Sequence, residues 1–152
     1  LTDLASLHGT MNTDKDIVVF TMNDGGGGVD LAVMVKMDGT TFSTADLAGD
    51  WMTHALVADE TDSGNDGWAY MKHSVSAAGD WTCQQYLNSD GDTNASLRNF
   101  NGTTVAADGV VSGFPNGSGH GIMSPDKNVI VFISDDNGGA GPGSVFGIAT
   151  RL

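Results

Sequence analysis

The chain holds one cysteine, Cys83, so it cannot close an internal disulfide, and zinc centres built on several cysteines are excluded. Basic residues are scarce, with 6 Lys and Arg against 19 Asp and Glu. The resulting net charge of −13 repels phosphate backbones, which argues against nucleic-acid binding. It disfavours an anionic membrane surface for the same reason. No apolar run approaches the roughly 20 residues that a spanning helix needs. Charged residues of both signs make up only 16% of the chain, below the roughly one quarter usual in soluble domains. The surface must therefore lean on Ser, Thr, Asn and Gly. That composition suits an extracellular or periplasmic protein, and also an acidic habitat in which the carboxylates are neutral. No signal peptide is visible, and an opening at Leu1 fits the mature end of an exported chain.

Proline is rare as well, at 3 residues, whereas glycine is abundant at 22. Many tight turns with few rigid ones point to antiparallel β structure. A length of 152 residues with 39% hydrophobic content fits a single domain, 1–152, with a real core.

An internal repeat organises the chain. His8-Gly-Thr-Met-Asn-Thr-Asp-Lys-Asp-Ile-Val-Val-Phe20 returns 112 residues later as His120-Gly-Ile-Met-Ser-Pro-Asp-Lys-Asn-Val-Ile-Val-Phe132. Both copies run into Asp/Asn/Gly-rich turns, from Asn23 and from Asp135, and both end in a further apolar stretch. Asp-Lys-Asp and Asp-Lys-Asn are turn signals ahead of strands at Ile17–Met22 and Val129–Ile133, so the repeat reads as a duplicated β-hairpin. Two arrangements explain it. Both hairpins belong to one barrel or sandwich, or the chain samples a tandem array. On the second view residues 1–37 are the tail of one unit and 38–152 a complete next unit, the second copy ending with the chain. The 1–37 hairpin would then pack on the complete unit or pair its strands with another copy of the protein.

Between the copies the pattern stays β. Trp51–Ala58 alternates, with Trp51, Thr53, Ala55 and Val57 on one face and Met52, His54 and Leu56 on the other. Trp68–Val75 places Ala69, Met71, His73 and Val75 on one face, and Trp81–Leu87 follows. Thr103–Val105 and Val110–Ser112 flank an Asp-Gly turn. Thr44–Leu47 fits one helical turn, capped by Ser43 or Thr44. The fold class is all-β, an antiparallel barrel or sandwich with a duplicated hairpin.

The run Asp46-Leu-Ala-Gly-Asp-Trp51, together with Met123-Ser-Pro-Asp-Lys127, resembles a β-rich module repeated in large secreted bacterial proteins. That module opens on Leu-Ala-Gly-x-Trp and closes on a Met-x-x-Asp-Lys hairpin. The resemblance covers residues 46–152, implies an extracellular β module and brings no activity with it.

No catalytic signature stands out. Asn116-Gly-Ser-Gly-His120 lacks the first glycine of a nucleophile elbow, and Gly25–Gly28 lacks the Gly-Lys-Ser/Thr ending of a phosphate loop. The acidic turns offer calcium ligands. Asn88, Asp90, Asp92 and Asn94 set hard oxygens at alternating positions, and Asp59, Glu60, Asp62 and Asp66 form a second cluster. The competing reading is a solvated turn in which these residues serve backbone geometry. His54 and His73 fall on consecutive strands, and in a hairpin centred near Ser63 they stand nearly opposite. With Met71, and with Cys83 as an anchor, they would ligate haem iron or copper inside a barrel. The competing reading is that Met fills the core and His makes ordinary hydrogen bonds. Trp51, Trp68, Trp81 and Tyr86 would stack on sugars if exposed, but each Trp begins a strand, which favours the core. The leading expectation is a non-catalytic extracellular module for structure, assembly or adhesion. A secreted haem- or metal-binding electron-transfer protein is the alternative, and a glycan-binding domain a weaker one.

Overall fold

Alternating apolar and polar residues, cut by Asp/Asn/Gly turns, produce β-strands that pair antiparallel with their neighbours. The computed structural model describes residues 7–23, 29–59, 67–95, 99–113, 119–136 and 142–152. The chain divides into two units, Leu1–Asp38 and Gly39–Leu152. Among the described residues the first unit is a three-stranded antiparallel sheet in the order β1-β2-β3, with β1 at Leu7–Met11, β2 at Ile17–Asn23 and β3 at Val29–Val35.

The second unit opens with a 3-10 turn at Thr44–Leu47, where the Ser43 amide donates to Asp46 Oδ2 at 2.8 Å. Eight strands follow: β4 Gly49–Asp59, β5 Gly67–Val75, β6 Trp81–Asn88, β7 Thr104–Val105, β8 Val110–Ser112, β9 His120–Met123, β10 Val129–Asp136 and β11 Pro142–Arg151. They form one antiparallel sheet in the order β6-β5-β4-β11-β10-β9-β8-β7, curled into a half-barrel. Of the two architectures expected from the sequence, barrel or sandwich, the barrel-like one is observed.

One end of the curl is drawn together by the backbone. Trp81 N donates to Phe100 O at 2.7 Å and Phe100 N donates back to Trp81 O at 3.0 Å. Thr103 N donates to Gly79 O at 3.1 Å. The segment leading into β7 thus meets the start of β6, and the sheet's two edge strands are tied at that end.

Period-2 alternation fills the concave face. Trp51, Trp81, Leu47, Phe42, Ile130 and Phe132 lead the main core cluster. A smaller cluster holds Ala55, Ala69, Met71, Cys83 and Tyr86. Cys83 and Tyr86 are three apart and would face opposite ways in a regular strand. A bulge solves this, because Lys72 faces Gln85 while His73 faces Cys83, leaving Gln84 as the extra residue.

The two copies of the sequence motif pair their strands in the same register. Gly9 faces Phe20 as Gly121 faces Phe132, and Met11 faces Val18 as Met123 faces Ile130. In the next pairing Ile17 faces Val35 and Val129 faces Thr150, the second set carrying the longer turn. Lys15 and Lys127 share a left-handed backbone, with φ of 61° and 62°. Lys15 N donates to Asn12 O at 3.1 Å, and Lys127 N to Ser124 O at 2.8 Å. The next strand is tethered alike, Ile17 N to Asn12 Oδ1 at 3.0 Å and Val129 N to Ser124 Oγ at 2.9 Å. Glycine is required at the paired positions. A Cβ on Gly121 would stand 2.6 Å from Val131 O, and one on Gly9 would stand 2.8 Å from Phe20 Cβ.

Candidate functional site

Strand register decides which chemistry-bearing side chains meet. β4 and β5 pair with His54 opposite Tyr70 and Trp51 opposite His73. This differs from the nearly opposed histidines expected from a hairpin centred near Ser63. A small slip in the centre of a hairpin changes both partner and face. His54 is exposed on the outer face, while His73 is fully buried on the inner one. The inner face does bring His73, Met71 and Cys83 together, with His73 directly opposite Cys83. The His73 ring lies edge-on to Trp81 at 5.4 Å and tilted against Phe100 at 5.5 Å. The Cys83 thiol donates to Gln85 O at 3.1 Å. His73 is therefore packed among aromatic rings, and the three-ligand set containing His54 is not assembled.

The turn after β6 holds Asn88, Asp90, Asp92 and Asn94, as the calcium reading requires. Its side-chain oxygens serve the turn's own amides. Asn88 Oδ1 accepts from Asp90 N at 3.1 Å and Asp92 N at 2.9 Å, and Asp92 Oδ1 accepts from Asn94 N at 2.9 Å. Among the described residues no three His, Cys, Asp or Glu side chains stand together as metal ligands. Of the second acidic cluster, Glu60, Asp62 and Asp66 lie outside the described residues, as does the side chain of Asp59. Ser118 and Gly25–Gly28 also lie outside them.

Polar chemistry concentrates instead at the start of the half-barrel. Arg151, at the end of β11, donates from Nε to Lys127 O at 3.1 Å, from Nη1 to Ala48 O at 2.6 Å and from Nη2 to Asp46 O. Its guanidinium lies over the Trp51 ring, and Trp51 Nε1 donates to Leu47 O at 2.7 Å. Lys127 Nζ sits 3.0 Å from Asp46 Oδ1 and 5.6 Å from the centroid of Phe42. Burial raises the Asp46 pKa, but hydrogen bonds from Lys127 and Ser43 and the Lys127 charge outweigh it and hold the carboxyl below its ordinary value. Asp126 behaves likewise. Burial raises it, and hydrogen bonds from the Ser124 hydroxyl and from Asn128 lower it further. These groups join the 3-10 turn, β9–β10 turn and β11, which is structural work.

The outer face carries the feature that the sequence reading missed. Trp51 and Trp81 are buried as expected, but Trp68 is 46% exposed. It stands opposite Leu56, which is 56% exposed, and Leu56 stands opposite Phe146. Phe146 in turn faces Ile133, 61% exposed. One row of apolar side chains thus crosses β5, β4, β11 and β10. A neighbouring row sets Ile148, His54, Tyr70 and Leu87 opposite one another in turn, with the His54 and Tyr70 rings 5.3 Å apart. The signal for Trp68 was in the alternation itself. With Ala69, Met71 and His73 facing inward, Trp68 shares the outward face with Tyr70 and Lys72, and a mid-strand lysine marks that face as solvated.

No family model matches the chain, and no curated protein matches it. Among solved structures it is similar to a protein of unknown function from the DUF3598 family of Nostoc punctiforme PCC 73102. That likeness has 10% identity and a TM-score of 0.40, and covers 96% of this chain and 87% of the other. Among the described residues no helix is long and apolar enough to cross a membrane.

Proposed function

We propose that the chain is a non-catalytic extracellular or periplasmic β module that serves structure, assembly or adhesion. The observation that carries this reading is the apolar row Ile133–Phe146–Leu56–Trp68 on the outer face of four adjacent strands. Contiguous exposed apolar side chains mark contact surfaces, and Trp and Phe are favoured anchors there. The acidic, weakly charged composition supports a solvent-facing life outside the cytoplasm. The resemblance to a module of large secreted bacterial proteins agrees with it.

The test is sedimentation of the whole chain over a wide concentration range, beside the variants Leu56→Asp and Trp68→Asp. Self-association that either variant abolishes, with the β circular dichroism unchanged, supports assembly through this face. A monomer at every concentration, whose Trp68 fluorescence responds to no surface polysaccharide or partner cell, overturns both assembly and adhesion.

A second reading, a haem- or metal-binding electron-transfer protein, is favoured by one observation: His73, Met71 and Cys83 share the inner face. Native and denaturing mass spectra of the protein from its own source separate the readings. Extra mass in the native spectrum matching haem or a metal supports the second. Bare polypeptide mass removes it.

A further inference from the structure

In the second unit, β9–β11 have a strand on either side. β11 pairs with β4, Gly147 opposite Ala55 and Arg151 opposite Trp51, and β9 pairs with β8, Gly121 opposite Val111. β1–β3 repeat the pairing of β9–β11 in register, yet among the described residues β1 and β3 are edges. The inner faces differ in the same sense. Met123 and Ala149 are fully buried, whereas their counterparts Met11 and Met34 are each 55% exposed. Ile130 and Phe132 are buried, whereas Val18 and Phe20 are only half-buried. The basic residues correspond as well. Lys127 spends a left-handed backbone, uncommon for lysine, on a pairing with Asp46, and Lys15 holds the same conformation with an exposed side chain. Lys36 N donates to Asp16 O at 2.6 Å as Arg151 N donates to Asn128 O at 2.8 Å, so Lys36 takes the place of the arginine over Trp51.

We propose that β1–β3 are the closing strands of a preceding half-barrel, and that their occupant is a further copy of the segment 39–119, the 3-10 turn with β4–β8. The copy's β4 pairs with β3 so that Ala32 faces its Ala55 and Lys36 faces its Trp51. Its β8 pairs with β1 so that Gly9 faces its Val111. Its Phe42, Leu47 and Trp51 cover Val18, Phe20, Met11 and Met34, and its Asp46 receives Lys15. The match is of chemistry rather than of identity, since Ala32 stands where Gly147 does and Met34 where Ala149 does. The inference is independent of the outer-face row, and its test does not read that surface.

The test appends residues 39–119 ahead of residues 8–152, the junction falling where the second copy of the motif begins. Three readouts compare this chain with the 152-residue protein. Lys36 donates to β2, so alternation aims the amides of Leu31, Val33 and Val35 at the open edge of β3. In the extended chain their hydrogen exchange slows by about tenfold or more. Met11 and Met34 become resistant to peroxide, and a carbodiimide cross-link joins Lys15 to the appended Asp46. A second extended chain carrying Ala32→Gly and Met34→Ala restores the residues of the closed unit, so that overpacking alone cannot hide docking. The proposal is overturned if both extended chains leave β3 exchange and methionine oxidation unchanged. It is also overturned if the 152-residue protein already protects β3 at doubled mass, because the occupant is then a second whole chain.

Discussion

The guanidinium carbon of Arg151 lies 4.6 Å from the centroid of the Trp51 ring, on the residue directly opposite it in the neighbouring strand. The same guanidinium donates to three carbonyls, of Asp46, Ala48 and Lys127. Arg151→Ala removes a stacked cation and leaves those acceptors without their donor. The expected cost is about 2–4 kcal/mol. Arg151→Lys keeps the charge but cannot reach three acceptors as a planar fork, so it recovers only part of the loss. Urea unfolding followed by Trp fluorescence checks both, because Trp51 and Trp81 report the core.

Acid should weaken the second unit in a defined direction. Asp46 and Asp126 both have carboxyl pKa values held below the ordinary 3.8. A depressed carboxyl contributes stability above its unfolded pKa, and that contribution is lost as pH falls through the folded value. The contribution of these two carboxylates should therefore hold from neutral pH down to about pH 5 and fall away below about pH 4. Asp126→Asn and Asp46→Asn should each flatten the decline while lowering stability at pH 7. Thermal melts across pH 2–7 read both effects, and an undiminished acid decline in the double variant would refute the assignment.

Gly79 is where the sheet's edges are tied. Its φ is +85°, its carbonyl accepts from Thr103 N, and a Cβ there would overlap the Thr103 carbonyl. Gly79→Ala should cost about 2 kcal/mol or more, the left-handed penalty of about 1 kcal/mol plus displacement of the tie. Gly91, with φ +81° and open space about its Cβ, is the control. Gly91→Ala should cost only the conformational part. Hydrogen exchange at the Thr103 amide separates the two, rising for Gly79→Ala alone.

Alternation and turn chemistry were legible in the sequence. They placed Trp51–Ala58, Trp68–Val75 and Trp81–Leu87 as strands, and the structure has β4, β5 and β6 there. The 3-10 turn at Thr44–Leu47 was legible from its capping residue Ser43. Register was not. It depends on a turn's length and on packing across the sheet, so the partner of His54 became Tyr70 rather than His73. The bulge at Gln84 was equally hidden, since nothing in Cys-Gln-Gln-Tyr marks the extra residue. The tie between Trp81 and Phe100 joins residues far apart in the chain, which no local pattern announces. At the outer face the alternation of β5 does carry the information, but a large aromatic at a strand start suits the core equally well, and only the sheet's curl decides which side is buried.

The pairing of β4 with β11 has a mechanical consequence. These strands are antiparallel, and Trp51 near the start of one faces Arg151 at the end of the other. Tension applied between Gly39 and Leu152 would therefore pull on the same end of the pair and peel its rungs one after another, rather than slide the strands past each other. A seam loaded in this way would open one rung at a time instead of bearing the load across all its rungs at once. Arg151, bonded to Asp46 and Ala48 beside the first rung, would share that load with the Phe42 amide on Ala107 O and the Lys127–Asp46 pair before the seam could run.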